Sequence, residues 1–419
     1  MRNSPPSQHL VFDCDPGCDD ALAIALVAKA QRYKRIDLLT VAGNVPVEQT
    51  TANACRLAAL LGIQTCTRIY RGCARSLMGD TPTAASVHGR DGLGDAPNNL
   101  LDPPLRPRRP KSCMNAVERL VQLASSKDKT VVFDMVCTGP LTNLATALGL
   151  MDQKRRRAFW ARCSRLIVMG GCFNSKGNIT HSAEFNTYFD PVATQTILDY
   201  LREVRDDRGA EVAAGNATSP EPQMYFVPLD STETVGISLL EQSEKPEPHR
   251  AAKFLFYALQ QYGEFHAFHC KRPAEAKAFG IKEFDEEAYV NSLLGGSLGV
   301  SKLNKFCFLH DPLAMWALLR WEDARPFWAD ATIRVDAGRG DSRGRIISCE
   351  PKASTNTPVK AFEIGTHVKW LSLPIGDADA ATFRREFVTA VAKLLCLPVE
   401  TTVQPVRKPR PPHDPGASR

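Results

Sequence analysis

Asp13-Cys14-Asp15-Pro16-Gly17-Cys18-Asp19-Asp20 packs four carboxylates into eight residues, between the apolar run His9-Leu10-Val11-Phe12 and the helix-forming run Ala21 to Ala28. An apolar strand that turns directly into a helix places these acids on the loop at the strand's C-terminal end. Pro16 fixes one backbone angle and Gly17 permits a tight or left-handed one, so the loop can fold back and converge its side chains. Carboxylates brought together without a cation raise one another's pKa by repulsion. A hard, oxygen-seeking ion such as Ca²⁺ or Mg²⁺ removes that penalty, and Ca²⁺ suits a mixed set of carboxylates, carbonyls and water. Asp is also a common helix N-cap, so Asp19 or Asp20 could serve the first free amides. Capping accounts for one or two acids, and four point to metal or catalytic chemistry.

Outward from this loop, short apolar runs alternate with helical patterns. Leu38 to Ala42 reads as a strand, Thr50 to Leu61 as a helix, Thr130 to Phe133 as a strand and Leu141 to Leu150 as a helix. Arg165 to Gly171 gives another strand, Pro191 to Leu201 a helix and Met224 to Leu229 a strand. The alternation predicts an α/β fold, an open, mostly parallel, Rossmann-like central sheet flanked by helices. Residues 205–223 and 270–305 read as insertions, the second forming a helical lid region together with Glu241 to Arg250. Thr332 to Cys349 reads as a β-hairpin near the C-terminus, with Arg339-Gly340-Asp341 in its turn, and Ala381 to Leu395 as a closing amphipathic helix. A single domain over 9–397 follows, between an N-terminus (1–8) and a Pro- and Arg-rich tail (398–419) that are both expected to be disordered.

The 419 residues are 43% hydrophobic and 23% charged, an ordinary globular composition. The net charge of +6 gathers in runs such as Arg106 to Lys111 and Lys154 to Arg157. Without interleaved aromatics or a known module these read as solvated faces, not as a nucleic-acid site. Thirteen cysteines, odd in number and free of any Cys-x-x-Cys pair, suggest reduced thiols in a cytoplasmic protein, with the nucleus as the alternative location. There is no apolar secretion segment and no run of eighteen apolar residues, so no membrane association is expected. Asn178-Ile179-Thr180 and Asn216-Ala217-Thr218 are then chance matches to a glycosylation acceptor.

In open parallel sheets ligands sit beyond the strands' carboxyl ends. After the first strand come the four acids, and after the second Gly43-Asn44. Cys137 to Asn143 follows the third, and Gly170-Gly171 and then Asn178 follow the fourth. Further on stand Glu184-Phe185-Asn186 and, after Phe306 to Leu309, the pair His310-Asp311. Acids, amides and one histidine on one rim suit a polyhydroxylated, uncharged ligand held by a metal and amide side chains. No phosphate-cradling Gly-rich loop with a lysine accompanies them.

These elements, in this order, resemble the inosine-uridine preferring nucleoside hydrolases, which hydrolyse the N-glycosidic bond of ribonucleosides. The family's Asp-x-Asp-Pro-Gly-x-Asp-Asp stands at Asp13 to Asp20, its Gly-Asn at Gly43-Asn44, and its His-Gly segment at His88-Gly89 with Gly92 and Gly94. Its Thr-Gly-x-Leu-Thr-Asn stands at Thr138 to Asn143, Met-Gly-Gly at Met169 to Gly171, Glu-Phe-Asn at Glu184 to Asn186, and His-Asp-Pro at His310 to Pro312. The resemblance covers about Leu10 to Leu397. It implies a Ca²⁺ held by Asp15, Asp20, the Thr138 carbonyl and Asp311, with Asp15 as general base on the attacking water and His310 as general acid on the departing base. Asp19, Asn44 and Asn186 would hold the ribose 2′- and 3′-hydroxyls, and Asn178 with Glu184 the 5′-hydroxyl. Met169 would pack by the sugar, His88 would contact the base or close the pocket, and Tyr262 and His266 could reach the base. Asp13 would brace the loop. The His-Asp-Pro element resembles the base-unselective or pyrimidine-leaning members more than the purine-specific ones, which implies uridine first with inosine tolerated; the resemblance also implies nucleoside salvage or catabolism and a homodimer or homotetramer. The segment between His266 and His310 is longer than the family pattern. Two other readings share the acidic strand end: a Mg²⁺ phosphohydrolase of the haloacid dehalogenase type, and a catalytically silent nucleoside- or ribose-binding protein.

Overall fold

The computed structural model describes residues 8–96, 114–128, 130–213, 221–238, 250–271, 306–349, 365–374 and 376–396. Six strands form a parallel ladder: β1 (His9–Cys14), β2 (Arg35–Thr40), β3 (Thr67–Arg71), β4 (Phe133–Cys137), β5 (Cys163–Met169) and β6 (Met224–Val227). A separate two-stranded sheet pairs β7 (Gly236–Ser238) with β8 (Phe306–Phe308). β9 (Trp328–Val335), β10 (Ile346–Ser348) and β11 (Thr366–Leu371) complete the main sheet. Its order is β10-β9-β11-β6-β5-β4-β1-β2-β3, antiparallel only at β9 and β10. The mostly parallel, helix-flanked sheet is thus as expected, and β9 with β10 form the expected hairpin.

The strands are apolar on both faces because helices cover both, as parallel sheets require. Side chains alternate between two cores, Leu10 and Phe12 facing one and Val11 the other. One core packs α1 (Cys18–Ala30) with helices from the second half of the chain. These are α10 (Arg250–Lys271), α11 (His310–Leu319) and α13 (Ala378–Leu394), with the short α12 (Trp321–Ala324) beside them. The other holds α4 (Ala116–Ala124), α5 (Thr142–Gly149), α6 (Gln153–Arg162) and α8 (Pro191–Ala213). The remaining helices are α2 (Val47–Leu60) and the short α3 (Ala85–His88), α7 (Phe185–Phe189) and α9 (Leu229–Thr232). α1 is buried from Cys18 to Val27, and its run of Ala and Leu gives it no polar face. A helix apolar all round belongs inside, and this one carries the acid loop's last two carboxylates into the interior.

Several boundaries differ from the sequence reading. The strand expected at Thr130 to Phe133 begins at Phe133 and runs to Cys137, with Val132 left exposed. Asp134 broke the apolar run on paper; in the fold it is buried in the strand and bonded by Tyr33 and Arg165. α8 continues to Ala213, so the first part of the stretch 205–223 is helix. Phe306–Phe308 does not join the main sheet, so His310 and Asp311 reach the rim from the N-terminus of α11. α10 runs past Tyr262, placing His266 within the helix and not after it. β3 and β11, mixed in polarity, went unread. Residues 1–7, 272–305 and 398–419, the greater part of Glu241 to Arg250, and the His266 side chain lie outside the described residues.

Candidate functional site

The first loop is held closed by the acids themselves. Asp20, at the third position of α1, accepts the Gly17 amide on Oδ2 at 2.9 Å, so the capping role is real. Its other oxygen accepts the Thr138 hydroxyl at 2.6 Å, and Asn44 donates to Oδ2 at 3.3 Å. The Asn44 side chain also donates to the Asp15 carbonyl at 3.1 Å, while its backbone amide donates to Asp15 Oδ2 at 2.7 Å. Gly43 makes that approach possible: a Cβ there would stand 2.0 Å from Asp15 Oδ2. Asn143 donates to Asp13 Oδ1 at 2.8 Å, so Asp13 is braced from α5.

Capping and bracing do not use up the carboxylates. Asp13 Oδ2, Asp15 Oδ1 and Asp19 Oδ1 are buried with no hydrogen-bond partner. One oxygen each from Asp19, Asp20 and Asp311 lies within 4.8 Å of the others. Burial raises the carboxyl pKa of Asp15 and Asp311 well above the ordinary range, and the charges of neighbouring aspartates raise it further. Asp19 and Asp20 shift the same way, burial again being the largest cause. Oxygen-only donors, buried, mutually repelling and partly unpartnered, fit a hard divalent cation. The cluster differs from the implied ligand trio in one respect, for Asp19 joins Asp20 and Asp311 and Asp15 lies beside them. Thr138 joins the cluster through its hydroxyl on Asp20, and its carbonyl accepts the Asn186 amide at 2.7 Å.

Most of the residues expected on the sugar side gather around α7. Glu184 caps this helix, taking Asn186 and Thr187 amides and, through Oε2, the Gly171 amide at 2.9 Å. Asn186 reaches from α7 to the Thr138 carbonyl and to Met169 Sδ at 3.6 Å. Met169 and Glu184 are buried, whereas Asn178 is exposed and accepts the Phe185 amide at 2.9 Å.

Two histidines stand beside the acids, His88 with Nδ1 3.9 Å from Asp19 Oδ1 and His310 next to Asp311 in the chain. His88, buried, accepts the Cys18 amide on Nδ1 at 3.1 Å and therefore caps α1 as well as facing the site. Its ring centroid lies 5.1 Å from that of Tyr262, whose hydroxyl donates to Asp19 Oδ2 at 3.3 Å. Burial holds His88 down to about 4 and His310 down to about 3. His310 Nδ1 lies 2.7 Å from the Thr232 hydroxyl. Thr232 was missed in the sequence, although it follows β6 and the strand-end rule applied to it. The part of Asn143 was also hidden, because a motif gives an order of residues and not their partners.

A family model described as inosine-uridine preferring nucleoside hydrolase matches residues 10–371. Uridine nucleosidase 1 of Arabidopsis thaliana is 33% identical over 192 residues, 46% of this chain and 53% of the relative. A pyrimidine-specific ribonucleoside hydrolase of Enterobacter sp. (strain 638) is 34% identical over 189 residues, 45% of this chain and 56% of the relative. The chain thus spans little more than half the length of these curated relatives. A solved plant nucleoside hydrolase, 24% identical, superimposes with a TM-score of 0.65 over 92% of this chain and 99% of that one, a likeness of fold.

Proposed function

The chain belongs to the inosine-uridine preferring nucleoside hydrolase family, and from that premise we propose that it hydrolyses the N-glycosidic bond of ribonucleosides, uridine first, with Ca²⁺. The observation that carries the reading is the buried acid cluster with its unpartnered oxygens at Asp15 and Asp19. Asp15, Asp20, Asp311 and the Thr138 carbonyl would hold the ion, with Asp19 within reach of the same cluster. When bound, the ion orients water and the ribose cis-hydroxyls and makes that water more acidic.

The residues do the rest. Asp15, with one oxygen fixed by the Asn44 amide and the other free of partners, takes a proton from the attacking water as general base. Asn44, Asn186 and Asp19 hold the ribose 2′- and 3′-hydroxyls, and Asn178 with Glu184 the 5′-hydroxyl. His310 supplies a proton to the departing base on the other face of the ribosyl centre, which develops oxocarbenium character as the bond breaks. The uridine preference is supported by the names of the two relatives. The haloacid dehalogenase-type and binding-only readings share the acid cluster but not the family match.

Release of free base by the purified full chain is the test. With Ca²⁺ present, uracil should appear from uridine; chelation should abolish it and Ca²⁺ should restore it. Asp15→Asn should lower kcat by on the order of 10²-fold or more, the usual scale for losing a positioned base. No base release from uridine, cytidine, inosine or adenosine would sink the proposal.

A further inference from the structure

Thr232 is fully buried, and its hydroxyl lies 2.7 Å from Nδ1 of the buried His310. Two pieces of backbone fix this pair. α9 springs from the end of β6, closed by the Pro228 carbonyl, which accepts the Ser231 and Thr232 amides at 3.0 Å. It is tied to the site loop by the Leu229 amide on the Gly171 carbonyl at 3.0 Å, and to β11 by the Ser231 hydroxyl on the Leu371 carbonyl. From there the chain enters β7, which pairs Gly236 with Phe308, while the Leu309 amide donates to the Val235 carbonyl at 3.4 Å. The segment following Thr232 and the segment preceding His310 therefore run as one antiparallel ladder, and the small sheet acts as a clamp on the pair. A ring gripped at Nδ1 can serve a departing base only through Nε2.

We propose that Thr232 is a positioning residue for His310, its hydroxyl fixing the imidazole so that Nε2 is the atom turned to the base. The inference rests on the reading of His310 as general acid. As the C–N bond breaks, its electron pair stays with the base and the Nε2 proton passes to it. Asp15 takes one proton from the water whose oxygen bonds to the ribose carbon; the proton gained at Asp15 then returns to His310 through solvent, which restores both groups and closes the cycle. Nδ1 keeps its bond to Thr232 throughout.

Thr232→Val keeps the shape and removes the hydroxyl, and Thr232→Ser keeps the hydroxyl. Each is assayed as full-length protein with Ca²⁺ on uridine and on 4-nitrophenyl riboside, whose leaving group needs no acid; thermal melting and bound calcium are measured alongside. His310→Ala should lose on the order of 10²-fold or more on uridine and little on the nitrophenyl riboside. Thr232→Val should lose roughly 10-fold or more with the same selectivity, and Thr232→Ser should recover most of it. If Thr232→Val does not fold, Thr232→Ala carries the same expectation. Equal losses on both substrates, or no rescue by a folded Thr232→Ser, overturn the inference while a selective His310→Ala leaves the acid reading standing. If His310→Ala is itself unselective, or the wild type releases no base, the reading of the site falls and takes this inference with it.

Discussion

Asn143 is a single buried side chain that makes three bonds at once. Its amide donates to Asp13 Oδ1 at 2.8 Å and to the Thr40 carbonyl at 3.0 Å, and its oxygen accepts the Cys73 amide at 2.8 Å. Burial pushes Asp13 up to about 7, the Asn143 bond pulling the other way. Asn143→Ala strands two buried acceptors and the half-buried Cys73 amide, and at about 1 kcal/mol each the loss of stability should be about 3 kcal/mol. Urea unfolding of the calcium-loaded protein checks this; a loss below about 1 kcal/mol would mean that water replaces the amide. The Thr-Gly-x-Leu-Thr-Asn element was legible as a motif, and Asp13 as a brace, but the link between them was not. A contact across 130 residues leaves no local periodicity to read.

At the scale of elements, the hairpin of β9 and β10 was expected from its glycines, yet nothing in its sequence announced its task. Arg343, from its turn, reaches under α7 and donates to the Tyr188 carbonyl at 2.8 Å and the Phe189 carbonyl at 2.9 Å. The same guanidinium pairs with Asp80 and stacks on Tyr188. Gly344 beside it has φ +77° and would put a Cβ 2.5 Å from Tyr188 Cα, so the turn lies flush on the helix that carries Asn186. Arg343→Lys keeps the charge but not the planar fork, and at such sites the exchange is not conservative. On the proposed reading, in which Asn186 of α7 holds the ribose, it should raise KM for uridine several-fold with a smaller effect on kcat. Steady-state kinetics decide it, and an unchanged KM in a folded Arg343→Lys would mean that α7 holds its place without the hairpin. The sequence reading expected Asn186 on the rim; it had no access to what supports the helix from below, since that support is 154 to 155 residues distant.

Across the whole molecule the sheet separates two kinds of buried acid. At the strands' C-terminal ends the carboxylates crowd together short of cations, whereas within β2 Asp37 meets cations from the protein itself. Arg119 donates to it at 2.8 and 2.7 Å, with His9 at 2.8 Å and Arg35 at 3.2 Å. Burial works to raise its pKa, but His9, Arg119 and Arg35 outweigh it and leave the group below its ordinary 3.8. Asp37 is thus neutralised by the protein's own cations, whereas the acids at the strand tips, where ligands bind in parallel sheets, face one another. The acidic tip was legible because capping and bracing account for only some of four acids in eight residues; Asp37 was invisible because its partners come from three separate elements. A carboxylate with a depressed folded pKa contributes stability that is present above its unfolded value and lost as pH falls through the folded one. Asp37→Asn should therefore cost about 3 to 5 kcal/mol at neutral pH, since it leaves Arg119 buried beside a neutral group. The gap between variant and wild type should narrow below about pH 4, where the unfolded wild-type chain begins to take up the proton that the folded carboxylate still resists. The site carboxylates are common to both proteins and cancel in the difference. Base release per folded molecule should be unchanged, because no part of this cluster touches the ribose rim. A gap that is independent of pH would show the defect to be one of packing and not of charge.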